Sequence, residues 1–109
     1  MGERVRFMRI VLFFDLPVET PANRRDYRHF VKFLEKDGYL RQQESVFVKL
    51  AIDDHVAESS YARLEQNKPP EGIVQVLKVT EKQYAGMRTI VGDRTVTTEL
   101  SDTNDLVIL

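Results

Sequence analysis

Cysteine is missing altogether from the 109 residues, and so is tryptophan. The first absence rules out disulfides and thiolate-ligated metals, and it suits a reducing compartment. Histidine occurs only twice, as His29 and His55, and neither has a second His, Cys or Glu at metal-ligand spacing, which argues against zinc. The five glycines are too scattered for a phosphate-cradling loop or a dinucleotide fingerprint. No apolar run approaches the roughly 18 residues of a membrane span, and the N-terminus has no hydrophobic segment followed by small residues. The expectation is a soluble, cytoplasmic chain with no membrane association.

What is present is ordinary in amount and uneven in placement. Hydrophobic residues make up 42% and charged ones 30%, a balance that supports one globular core. Net charge is only −1. Residues 1–49, however, hold ten Lys/Arg against seven Asp/Glu, and residues 50–109 hold six against ten. Such asymmetry fits a basic face on a nearly neutral molecule, and equally an ordinary solvated surface.

The run Met8-Arg9-Ile10-Val11-Leu12-Phe13-Phe14-Asp15-Leu16-Pro17 organises the rest. Its unbroken apolar stretch predicts a central strand over about 6–14, covered on both faces. Pro17 cannot donate to a ladder, so pairing should end near it and leave Asp15 at the strand's exit. There Asp15 is either the first turn-former or a carboxylate with a task.

A helix follows, with Thr20 as N-cap, Pro21 at its first position and Gly38 just past its end. Tyr27, Phe30, Val31 and Leu34 form its buried stripe. Arg24, Arg28, Lys32 and Lys36 follow one another at i+4 steps, with Arg25 beside them. Four cations at that spacing repel slightly, so they are there either for solubility or for an anionic partner.

Tyr39 to Ile52 reads as strand, bent by Gln42-Gln43-Glu44, with Val46, Val48, Leu50 and Ile52 on the buried face. Phe47 then falls on the opposite face, which suggests a second covered surface. Asp53 or Asp54 caps a second helix over about 54–66, and Asn67 to Gly72 is a loop. Ile73–Val79 is a further strand. Thr80-Glu81-Lys82-Gln83 has capping-box spacing and opens a short helix to about Met87. A short strand is expected over Arg88–Val91, then a polar linker, then an apolar strand over Asp105–Leu109 that adds to a sheet edge of this chain or of another copy.

This order predicts an α+β, ferredoxin-like split βαβ: an antiparallel sheet with both helices on one face, and a homodimer formed through the bare face. Residues 1–92 would form that domain, and 93–109 a linker plus the C-terminal strand, retained or exchanged. Two Asp15 carboxylates across a two-fold axis would make a Mg²⁺ site that one copy cannot. With flanking arginines to hold phosphates, the residues lead to a symmetric, metal-assisted phosphodiesterase.

Several motifs occur together and in order: Phe13-Phe14-Asp15-Leu16-Pro17; Arg25-x-Tyr27-Arg28-x-Phe30-x-x-Phe33-Leu34-x-x-x-Gly38-Tyr39; Gln43-x-Ser45-Val46-Phe47; and Val79-Thr80-Glu81-Lys82-Gln83-Tyr84-Ala85-x-Met87, followed by Ile90-Val91-Gly92. In these the chain resembles the Cas2 family of small CRISPR-associated proteins, and most of all its type II versions, over about residues 7–92. The resemblance implies a homodimer that binds double-stranded protospacer DNA between two integrase dimers during spacer acquisition. It also implies Mg²⁺-dependent nuclease activity on RNA or DNA. By family pattern Asp15 is the metal ligand and a catalytic residue. Arg41, Ser45 and Phe47 match positions tied to activity or to the dimer interface, and Arg24, Arg25, Arg28, Lys32 and Lys36 would bind nucleic acid. Glu44 departs from the apolar or aromatic residue usual before the serine; near Asp15 it would either add a ligand or repel phosphate. The alternatives are a protein that is mainly an endoribonuclease, or a toxin-like dimer of the same fold with no role in integration.

Overall fold

The computed structural model describes residues 7–92. The polar linker over 94–104 and the strand at Asp105–Leu109 lie outside the described residues. The elements are β1 (Met8–Asp15), α1 (Pro21–Lys36), β2 (Leu40–Gln43), β3 (Val46–Ala51), α2 (Asp54–Asn67), β4 (Ile73–Thr80) and α3 (Glu81–Ala85). The four strands form one sheet in the order β2-β3-β1-β4, every neighbouring pair antiparallel. With β1 central and the first two helices linking non-adjacent strands, this is the ferredoxin-like arrangement.

Local chemistry accounts for the helices. The Thr20 hydroxyl accepts from the Asn23 amide while the Asn23 side chain accepts from the Thr20 amide, and Pro21 occupies the first turn. Gly38, at φ +98°, takes the chain out of α1 in a conformation other residues adopt at a cost. Asp53 caps α2 through the Val56 amide. Thr80 and Gln83 form the reciprocal box that opens α3, which ends at Ala85, two residues earlier than the spacing predicted.

Ile10, Leu12 and Phe14 of β1 and Phe47 and Ala51 of β3 pack beneath Phe30 and Leu34 of α1 and Ala57 and Leu64 of α2. Burying a side chain of this size contributes about 1.5–3 kcal/mol. Phe14 sits at the centre, edge-on to Tyr27 and Phe30 and stacked on Phe47 at 5.9 Å. β3 therefore faces the other way from the expectation. Leu12 pairs with Phe47, which turns Phe47 toward the helices, while Val46, Val48 and Leu50 share the opposite face with Phe13, Val11 and Arg9. A two-residue period says which side chains share a face; the pairing register decides which face meets the helices.

That second face is not wholly bare. α3 lies over it, held by the Arg9–Glu81 ion pair, by the Arg9 guanidinium 4.7 Å from the Tyr84 ring centre, and by a 2.6 Å bond from the Tyr84 hydroxyl to Gln42. Val11 and Val48, on this same face, are buried. The expected strand at Arg88–Val91 is not formed. Ile90 and Val91 are about nine-tenths exposed, with no ladder partner among the described residues.

Candidate metal and nucleic-acid site

Asp15 is the last residue of β1, paired with Ile73, and its side chain is exposed on the sheet face away from α1 and α2. None of the ion pairs among the described residues involves it. On the same face its cross-strand partner Ile73 and its neighbour Phe13 flank it, and Leu77 lies farther along, opposite Val11; each is two-fifths exposed or more. An unpaired carboxylate beside uncovered apolar side chains is an unusual surface for a chain on its own.

The backbone at this strand end is gripped from both sides. Toward β3, the Phe14 amide donates to the Ser45 carbonyl at 3.1 Å, so the β2–β3 turn abuts the exit of β1. Toward β4, Gly72 lies directly against the Asp15–Leu16 peptide. Ser45 is thus brought next to the residue that precedes Asp15, and Glu44 is exposed in the same turn.

Two other expected site residues are not brought to Asp15. Phe47 is fully buried in the core, stacked on Phe14. Arg41 pairs with Phe47 on the helix side of the sheet, its guanidinium 5.1 Å from the Phe47 ring centre. The five cations of α1, Arg24, Arg25, Arg28, Lys32 and Lys36, are all exposed. Arg24 also donates to the carbonyls of Val18 (2.9 Å) and Glu19 (3.3 Å), which steadies the approach to the helix.

Sequence reasoning missed two polar clusters because their members are far apart in the chain. One is the set around Arg9, in which burial pushes the Tyr84 phenol above its ordinary range while Arg9 pulls it down by less. In the other, Asp37 accepts from Lys49 at 3.2 Å and Arg63 at 2.6 Å, and Arg63 reaches the buried Ser60. Beside it the Tyr39 phenol is pushed well above the usual tyrosine range by burial, then by Asp37.

As a metal site, one copy is incomplete. Among the described residues there is no group of three His, Cys, Asp or Glu side chains able to hold an ion. Asp15 offers one hard oxygen ligand.

The model of the family described as "CRISPR associated protein Cas2" matches residues 8–87, which run from the start of β1 to just past α3. The chain belongs to the Cas2 family. It is 49% identical over 102 residues to the CRISPR-associated endoribonuclease Cas2 of Treponema denticola, covering 94% of this chain and 99% of that one. It is 40% identical to the protein of the same name from Streptococcus mutans serotype c strain UA159, covering 87% of each. With the Acidovorax ebreus endoribonuclease Cas2 the identity is 47%, over 78% of this chain and 83% of the other. Among the described residues no helix is long and apolar enough to cross a membrane.

Proposed function

We propose that two copies of this Cas2 chain meet through the open sheet face, bringing both Asp15 carboxylates to one Mg²⁺. The dimer would act in CRISPR spacer acquisition, bridging two integrase dimers and holding double-stranded protospacer DNA by its backbone. The observation that carries this reading is Asp15 itself, exposed at the end of the central strand beside Phe13 and Ile73, with Leu77 farther along the same open face. Burying those side chains against a second copy would make the face self-complementary, as a two-fold interface requires.

The donor set fits the ion. Mg²⁺ prefers oxygen ligands and keeps much of its water, so two carboxylates from two chains suffice where one does not. When bound, the ion would offset the repulsion between the carboxylates and polarise a phosphodiester for attack by water. The chain's own residues supply the rest. Phe13 and Ile73 would exclude bulk water around the pair. Arg24, Arg25, Arg28, Lys32 and Lys36 would hold backbone phosphates without reading sequence. Ser45 would keep the strand end in place, and Arg41 and Phe47 would support it from the helix side.

A second reading is favoured by the name shared by the curated relatives: RNA cleavage at the Asp15 pair as the main activity. One substitution separates the two. Asp15→Asn should abolish metal-dependent cleavage of RNA and DNA while leaving DNA binding and spacer integration intact. Lost integration in a folded, dimeric Asp15→Asn variant would reverse the ranking.

A further inference from the structure

We propose that Gly72 is a positioning residue for Asp15, an inference that rests on the metal reading above. Gly72 closes the loop between α2 and β4 at φ +97°. A Cβ added there would meet the Asp15 carbonyl oxygen at 2.7 Å, a Leu16 methyl at 2.7 Å and the Leu16 Cα at 3.1 Å. The first and third of these are backbone and cannot swing aside. Any side chain at position 72 must therefore move either the loop or the peptide that carries the Asp15 carboxylate.

The loop is not free to yield. Ahead of Gly72, Glu71 accepts from the Asn23 side chain at 3.3 Å, tying the loop to the first turn of α1. Behind it, Ile73 pairs with Asp15 itself. With the Phe14 amide fixed on Ser45 from the other side, the strand end has one place to sit. A symmetric ion site doubles any displacement, because both carboxylates move, and ligand orientation is what supporting residues around a metal control.

Gly38 provides a matched control. Its φ of +98° imposes the same conformational penalty on alanine, but an added Cβ there meets only the Lys49 side chain, at 3.6 Å. Wild type, Gly38→Ala, Gly72→Ala and Asp15→Asn would be compared as purified dimers by electron paramagnetic resonance titration with Mn²⁺ standing in for Mg²⁺. We expect Gly72→Ala to weaken Mn²⁺ binding about tenfold while Gly38→Ala binds as wild type. If Gly72→Ala binds like Gly38→Ala while Asp15→Asn has lost the ion, the positioning role alone is overturned. If Asp15→Asn binds Mn²⁺ as wild type does, the metal reading falls, and this inference with it. Should Gly72→Ala not fold, Glu71→Ala keeps the close backbone approach and cuts only the tie to α1. Weaker Mn²⁺ binding in that variant supports the brace, and unchanged binding overturns it.

Discussion

The Asp37 carboxylate accepts from the Arg63 Nε at 2.6 Å, joining the end of α1 to the middle of α2. The same carboxylate takes the Lys49 ammonium, and the Asp37 and Lys49 side chains are each only 12% exposed. One acid thus ties both helices to β3. Asp37→Ala leaves Lys49 half of a buried pair and should cost about 2–4 kcal/mol, read by urea denaturation. Adding Lys49→Met should recover part of that loss; full additivity of the two changes would show that the pair is not coupled.

Tyr39 is 1% exposed, and its hydroxyl has no hydrogen-bond partner among the described residues. Tyr39→Phe removes a desolvated polar atom and should stabilise the fold by about 1 kcal/mol. A loss of stability instead would mean that the hydroxyl is bonded in solution. The pH dependence follows from the same burial. The folded-state pKa of Tyr39 is raised, so above the ordinary value of about 10 the unfolded chain gives up its proton while the folded one keeps it. The folded state then holds more protons, and stability falls as pH rises. Tyr84 shifts in the same direction. As far as these groups are concerned, denaturation midpoints should be flat from about pH 8 to 9.5 and decline above about 10, less steeply in Tyr39→Phe.

The strap formed by α3 depends on Arg9, because a helix of five residues is not stable alone. Arg9→Ala should free it, speed amide hydrogen exchange over Glu81–Ala85 and uncover Val11 and Val48. The ion pair is partly exposed, and the global loss should stay near about 1 kcal/mol. Unchanged exchange would show that Tyr84 and Gln42 hold the helix without it.

Phe13 is 41% exposed beside Asp15 on the face proposed to pair. Phe13→Glu puts like charges across a two-fold axis and should yield a folded monomer by light scattering. That monomer should also fail to bind Mn²⁺. A dimer that persists would place the interface elsewhere.

Charge reversal of Arg24 and Arg28 tests the α1 ridge. DNA binding should weaken, and the slope of log K against log salt should flatten by about 0.9 for each phosphate the ridge no longer neutralises. An unchanged slope would remove these arginines from the nucleic-acid surface.

Much of the fold was determined by residues a few places apart. Thr20 with Asn23, Asp53 with Val56 and Thr80 with Gln83 set where the helices start, because a cap is a contact between neighbours three positions away. The apolar run before Pro17 marked the central strand and put Asp15 at its exit for the same local reason. The rest needed residues that only the folded chain brings together. Arg9 meets Glu81 across 72 positions, and Gly72 meets Asp15 across 57. Alternation along β3 groups its side chains without saying which group is covered, and the pairing of Leu12 with Phe47 decided it against the valines. Arg88–Val91 has a strand's composition, yet a strand exists only where a ladder partner is present. Local chemistry determined the elements and placed the acid at the end of the central strand. The register between distant strands decided what faces that acid, because register depends on pairing partners that lie far away in the chain.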